Sequence, residues 1–409
     1  MGGGGYLRGM RLLHTSDWHL GRTLHGVDLL EHQAAFLDHL VELTRSEGVD
    51  AVLVAGDVYD RAVPPVEAVT LLSETLARLS EHAVVVVTSG NHDSAIRLGF
   101  GAGLMRAGVH LRTRVAGVAS PVTLVPRVGT GDAPVLVYGL PYLDPDVVRR
   151  ALAPVPAEPL ARSHEAVTGA ALDRVRADLA GRTAAAAAAG TLAPRAVVIA
   201  HAFVLGGEAS ESERDIRVGG VDHVPAGLFA GFDYVALGHL HGPQRIAGPV
   251  GAVLRYSGSP LAYSFSELHQ VKSSVLIDVG PDGVVGAPRL VPAPVPRRIA
   301  EVTGTLEELL GAAGEPYVAD WLRVIVTDVA RPPELYARLK VRFPHALVVQ
   351  HRPPTAAGER EHVAVTSARD PLEVAAEFVQ HITAAGPTVA EADALRAALE
   401  HVLALDRSA

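Results

Sequence analysis

Residues Leu53 to Asp60 read LVAGDVYD, and the reading of this stretch decides the fold. Ala51-Val52-Leu53-Val54-Ala55 is a continuous apolar run of strand length, the pattern of a strand buried on both faces. The run stops at Gly56 and an acid follows at once. Asp57 therefore sits where a parallel strand ends, the edge at which open α/β sheets carry their ligands. Its carboxylate has two oxygens and can bridge two cations.

The flanking segments repeat this arrangement. Leu12–Thr15 is predicted as a strand ending in Ser16-Asp17-Trp18-His19. A helix is expected over Glu31–Glu47, with Phe36, Leu37, Leu40, Val41 and Leu43 on one face. Pro64 and Pro65 open a second helix, since proline is tolerated in a first turn. Ala83–Thr88 is a further strand, ending in Ser89-Gly90-Asn91-His92-Asp93. The order so far is βαβαβ, with a polar motif after each strand. Strands are also expected at Val135–Gly139, at Ala196–Ala200 capped by His201, at Asp233–Leu237 before Gly238-His239-Leu240-His241, and at Ser274–Val279. Residues 144–193 read mostly as helix, Glu208–Asp215 as a charged loop, and Tyr256–Pro260 as a turn.

Pro288–Pro296 is rich in proline and reads as a linker. Beyond it, strands at Arg298–Val302, Leu322–Val326 and Ala346–His351 and a helix at Pro333–Phe343 form a small α/β module without the earlier motifs. Thr388–Leu405 follows Pro387 as one amphipathic helix striped by Ala390, Ala394, Leu395, Leu399, Val402 and Leu403. The expected division is a disordered extension at 1–9, a main domain at 10–290, an α/β cap at 291–386 and a terminal helix at 387–409.

Composition limits the chemistry. The 409 residues contain no Cys, which excludes disulfides and thiolate zinc sites and fits a reducing compartment. Any metal must then be held by His, Asp, Glu, Asn or backbone oxygen, a set suited to Mn, Mg, Fe or zinc without thiolate. No apolar run reaches membrane-spanning length. The net charge is −9, unlike the basic balance of a freestanding DNA-binding protein. Nearly all the cations are Arg; the lysines are Lys272 and Lys340.

Five segments share one grammar, an apolar strand followed by His, Asp or Asn: Asp17-x-His19, Gly56-Asp57, Gly90-Asn91-His92-Asp93, His201 and Gly238-His239-x-His241. Any one of them alone is as readily a loop-capping polar group, and His201 alone reads as a structural histidine. Five together at separate strand ends point to a metal centre. Two cations about 3.5–4 Å apart repel, and a shared anion offsets the repulsion. Asp57 is the natural bridge, and Gly56, Gly90 and Gly238 leave room for sharp turns beside it.

The set DxH, GDxxD, GNHD, H and GHxH resembles the calcineurin-like metallophosphoesterase superfamily. Within it, SDWHLG, AGDVYD, SGNHDS, ALGHLHGPQ and YSGSP resemble the SbcD-like nucleases. The resemblance implies a two-sheet β-sandwich flanked by helices, followed by a small α/β cap domain and a C-terminal helix. It assigns one Mn²⁺ (or Mg²⁺) to Asp17, His19, Asp57 and His241 and a second to Asp57, Asn91, His201 and His239. It makes His92 the proton donor to the leaving 3′ oxygen, with Asp60 orienting it; a helix-capping role for Asp60 ahead of Pro64 stands beside that. It implies a DNA exonuclease and endonuclease of the cytoplasm and nucleoid. The partners it implies are DNA, an SbcC-like coiled-coil ATPase and a second copy of the chain within a heterotetramer. Arg22, Arg61, Arg97, Arg245 and Arg255 lie near the motifs and could contact phosphates, or be solvated surface charges. The rival readings are a phosphoesterase for small substrates and an adaptor subunit for an ATPase.

Overall fold

The computed structural model of the chain describes residues 9–105, 108–126, 133–155, 158–213, 223–354, 370–383 and 385–406. The expected extension at 1–9 lies outside the described residues except for Gly9. Two compact units divide the chain, Met1–Ile299 and Ala300–Ala409.

The first unit contains two six-stranded sheets. In one, Met10–Thr15, Ala51–Ala55, Val84–Thr88 and Val109–Arg112 run parallel. Ser273–Gly280 pairs antiparallel on the other side of Met10–Thr15, and Gly283–Pro292 forms the edge. In the other, Val135–Gly139, Arg195–His201, Tyr234–Gly238 and Val253–Tyr256 run parallel. Short antiparallel strands, Val122–Leu124 and Gln244–Ile246, close its two edges.

The apolar alternation explains the layering. Along Ala51–Ala55, Ala51, Leu53 and Ala55 join a cluster with Val197, Ile199, Tyr234 and Ala236 of the opposite sheet. Val52 and Val54 face the other way, onto Phe36, Leu40, Leu72 and Leu79 of the helices Leu30–Ser46 and Val66–Ser80. On the far side, Val198, Ala200, Val235 and Leu237 pack under Val167, Leu172 and Val175 of the helix His164–Ala188. The result is a sandwich of two sheets flanked by helices. Each fully buried Val or Leu contributes about 1.5–3 kcal/mol, so the strands are held on both faces while their ends remain available for chemistry.

A buried imidazole links the two sheets in the interior. His14 is fully buried; its Nδ1 lies 2.9 Å from Tyr234 Oη and its Nε2 3.1 Å from the Leu237 carbonyl oxygen.

Gly283–Pro292 contradicts part of the expected linker at Pro288–Pro296. It pairs with Ser273–Gly280 around a register shift between Leu276 and Asp278. Pro288 falls within that shift on an edge strand, where a missing N–H costs no ladder bond. Likewise, the expected turn at Tyr256–Pro260 begins only after a strand, Val253–Tyr256.

The second unit carries a three-stranded sheet of Ile299–Gly304, Trp321–Val326 and Ala346–His351. Leu322, Val324 and Val326 pack with Leu339 and Phe343, at the end of the helix Leu335–Arg342, and with Leu306 and Leu309. A helix at Pro371–Thr383 was not foreseen from the sequence. The last helix, Val389–Asp406, starts from Thr388, whose Oγ1 accepts the Glu391 N–H while Glu391 Oε2 takes the Thr388 N–H.

Burial pushes the His14 imidazole down to about 3. Its contribution is therefore fully present above the unfolded value near 6.5 and is lost as pH falls from there toward 3, because only the unfolded chain takes up the proton. A His14→Gln variant is expected to show a shallower fall of Tm between pH 6.5 and 4 than the wild type; parallel slopes would contradict this.

Candidate metal centre

The parallel strands of both sheets deliver their carboxyl ends to one place. The Asp17 N–H donates to the Gly56 carbonyl at 3.1 Å and the His19 N–H to the Asp57 carbonyl at 3.0 Å, which ties the first motif to the second. The His201 imidazole Nδ1 meets the Ala55 carbonyl at 2.9 Å, so the opposite sheet is tied in as well.

These approaches demand unusual backbone. Asp17, His19, Asp57 and His239 all have positive φ, at 54°, 45°, 47° and 106°. Such conformations cost of order 1–3 kcal/mol each and persist where surrounding structure over-determines them. Close packing sets the glycines too. A Cβ on Gly90 would lie 2.2 Å from Asp57 Oδ1, and one on Gly238 would lie 1.8 Å from the Ala55 carbonyl oxygen. Of the three motif glycines, only Gly56 has positive φ, at +80°; the other two are required by close approach.

Asp57 occupies the centre. Its Oδ1 accepts the His92 N–H at 2.8 Å. Its Oδ2 lies 3.4 Å from His201 Nε2, 3.7 Å from His19 Nε2 and 3.9 Å from His92 Nε2. Burial alone would raise this carboxyl, but His201, His19 and His92 outweigh it and hold it well below the usual range.

On one side of Asp57, Asp17, His19 and His241 bring ligand atoms together, and all three are buried. His19 Nε2 and His241 Nε2 face each other at 3.1 Å. His241 Nδ1 is directed to Glu267 Oε1 at 3.1 Å and to Ser212 Oγ at 2.6 Å. With Nδ1–H donated to the carboxylate, the Nε2 lone pair of His241 points at His19. Two facing imidazole nitrogens in a buried site call for a shared cation or proton. Asp17 is supported by Ser16 Oγ at 2.5 Å and by the His239 N–H at 3.1 Å.

On the other side, Asn91 Oδ1 lies 2.9 Å from His201 Nε2 and 3.3 Å from His239 Nδ1. The bond of His201 Nδ1 to Ala55 fixes its tautomer and turns Nε2 toward Asn91 and Asp57. Burial, with His201 adding to it, pushes His239 down to about 3, whereas at His201 burial is outweighed by Asp57 and Asp17, which raise it to about 9, so that it holds a proton that a bound cation would displace. All seven residues assigned as ligands are thus brought together, and the donor set of carboxylate, imidazole and amide oxygen fits a pair of hard to borderline divalent cations.

His92 and Asp60 are arranged differently from expectation. His92 Nδ1 lies 2.7 Å from the Asp60 carbonyl oxygen, so it is the backbone of Asp60 that orients the ring. The Asp60 carboxylate instead lies 3.7 Å from His19 Nδ1, 3.7 Å from Arg22 Nη1 and 3.8 Å from Arg61.

The arginines divide. Arg22 is close to the site: its Nη2 donates to the Ser212 carbonyl at 2.9 Å and its guanidinium stacks over Tyr263 at 4.9 Å. Arg61 is exposed beside Asp60. Arg97 is exposed and bonds the Ala62 carbonyl at 3.2 Å. Arg245 and Arg255 pair with each other on adjacent strands, and Arg255 lies beside the interior His14. Neither touches the ligands among the described residues.

Several supporting residues went unread in the sequence. Gln33 Nε2 donates to the Trp18 and His19 carbonyls at 3.2 and 2.7 Å, and Tyr263 Oη donates to Trp18 at 2.5 Å. Asp93 accepts the Gly90, Tyr59 and Val58 N–H groups at 2.9–3.1 Å and so locks the two central loops together. Burial and the neighbouring Asp57 push its carboxyl up to about 7 against those bonds. Glu213 Oε1 accepts the His241 N–H at 2.8 Å. Of these, Asp93 stands in the Gly90-Asn91-His92-Asp93 motif and Glu213 in the charged loop, but their bonds to backbone N–H groups leave no mark in the sequence.

Residues 10–152 match the sequence family described as calcineurin-like phosphoesterase. Over that stretch the chain carries a domain of that kind, a metal-dependent phosphoesterase domain. Residues 295–383 match the SbcD C-terminal family, described as the type 5 capsule protein repressor C-terminal domain. The two matches, in this order along one chain, support an SbcD-type arrangement. The crystal structure of TT1561 of Thermus thermophilus is similar at 14% identity over 69% of this chain and 99% of that one, with a TM-score of 0.39.

Asp57→Asn is expected to lose both ions together and to lower the Tm of the ion-free protein, because it removes the buried charge that three imidazoles surround, while the apolar sandwich still folds. Metal content by plasma emission on the purified variant checks this; full wild-type occupancy would contradict the bridging role.

Proposed function

We propose that this chain is a Mn²⁺-dependent DNA nuclease subunit, exonuclease and endonuclease, which works with an SbcC-like ATPase in repair and recombination. The observation that carries the reading is Asp57 Oδ2, set between His19 Nε2 at 3.7 Å and His201 Nε2 at 3.4 Å. Asp17, His19, Asp57 and His241 would hold one ion, and Asp57, Asn91, His201 and His239 the other. When bound, such a pair supplies a water activated near neutral pH and positive charge for the phosphate oxygens.

The chain's own residues do the rest. His92 is the general acid: its Nδ1–H, held by the Asp60 carbonyl, fixes the ring, and a protonated Nε2 faces the centre to give its proton to the leaving 3′ oxygen. Asp60 and Arg22 brace the His19 side of the site. The net charge of −9 leaves phosphate attraction to the ions and to nearby guanidiniums such as Arg22 and Arg61. No described helix is long and apolar enough to cross a membrane; cytoplasmic placement at the nucleoid belongs to the same proposal.

Two surfaces support partners. Ile96, Phe100 and Leu104 are all exposed, and Phe100 lines an apolar groove of about 480 Å³ together with Tyr59, Leu72, Leu76, Leu98 and Met105. That supports a homodimer. In the second unit, Phe378 and Val389 are exposed on the last two helices, which supports docking of the ATPase coiled coil.

His92→Ala is expected to retain both ions and DNA binding while DNA turnover falls roughly 10²–10⁴-fold. A nitrophenyl diester, whose leaving group needs no proton, should lose far less; equal losses on both substrates would show that His92 is not the donor. The wild type should cleave DNA in preference to a simple phosphomonoester under the same Mn²⁺ conditions, and the reverse preference, measured as kcat/KM, would favour a small-substrate phosphoesterase. Removing residues 387–409 should weaken capture by the ATPase partner in a pull-down titration and leave partner-independent cleavage nearly intact; undiminished affinity would exclude the terminal helix as a docking element.

A further inference from the structure

Lys272 is one of two lysines in the chain and is 3% exposed. Its ammonium has four acceptors in reach: Glu267 Oε2 at 2.5 Å, Gln270 Oε1 at 2.7 Å, Ser259 Oγ at 2.9 Å and the His241 carbonyl oxygen at 3.0 Å. Glu267 is fully buried. Its Oε1 meets His241 Nδ1 at 3.1 Å and accepts the Ser212 hydroxyl, while its Oε2 also accepts the Tyr263 N–H at 3.2 Å.

A buried ion pair is a poor source of stability, since well-packed apolar residues of similar volume do as well or better. This pair has a property that apolar residues could not reproduce. Both of its members grip the same residue, the carboxylate at the ring of His241 and the ammonium at its backbone carbonyl. Ring rotation and backbone position are therefore fixed together. The opposite edge of that ring, Nε2, faces His19 at 3.1 Å. On the Asn91 side, by contrast, His201 is oriented by a backbone carbonyl.

We propose that Glu267 and Lys272 are a positioning pair that presents His241 Nε2 to the ion shared with Asp17 and His19. On this account they set the affinity of that half of the centre and leave the Asn91–His201–His239 half alone. The inference rests on the two-ion reading of the site.

Isothermal titration of the full chain with Mn²⁺ tests it, in the wild type, E267Q, K272M and the double variant E267Q/K272M, with Tm measured on each ion-free protein. The wild type should take up two ions. Each single variant should bind one of them about 10–100-fold more weakly, the usual effect of removing an outer partner of a ligand, and the other as before. The double variant leaves no uncompensated buried charge, so its Tm should recover; its affinity for the weakened ion should not. Recovery of affinity along with Tm would assign the pair a purely structural role and overturn the inference. So would two undisturbed ions in every variant, or equal weakening of both. A wild type that binds fewer than two ions would instead overturn the two-ion reading itself.

Discussion

Everything in the first unit is arranged around a carboxylate that is almost wholly excluded from water. Asp57 is 2% exposed, and an ionised carboxylate in such a place is costly unless it is paired. Three imidazoles and the His92 N–H surround it. Bringing them there requires the ends of two sheets to touch. That contact leaves no space for a side chain at Gly90 or Gly238 and forces four ligand-bearing residues into positive φ. The sandwich tolerates this strain because its strands are clamped by apolar packing on both faces.

The site was more legible than its supports. Each ligand lies within a few residues of an apolar strand, so the run and the polar residue after it are visible together. Asp57, Asn91 and His201 could be placed at strand ends from the sequence alone. The outer layer has no such local mark. Glu267 and Lys272 lie more than twenty residues beyond His241, and nothing in their neighbourhood signals that they fold back onto it. Gln33 sits in an amphipathic helix as an ordinary polar residue, yet its amide holds the Trp18–His19 backbone.

The differences have local causes. Pro288 looked like a linker residue because proline breaks interior strands, but an edge strand with a register shift has room for it. Asp60 was read through its carboxylate, whereas the turn after Asp57 brings its carbonyl to His92 and leaves the carboxylate beside His19 and Arg22. A sequence shows which side chain is present and not which atom of the residue makes the contact.

The central claim is that two ions share Asp57. Anomalous diffraction from crystals soaked in Mn²⁺, recorded at the manganese edge, tests it most directly. The account predicts two peaks flanking the Asp57 carboxylate, one beside Asp17, His19 and His241 and the other beside Asn91, His201 and His239. A single peak, or a pair that does not share Asp57, would contradict it.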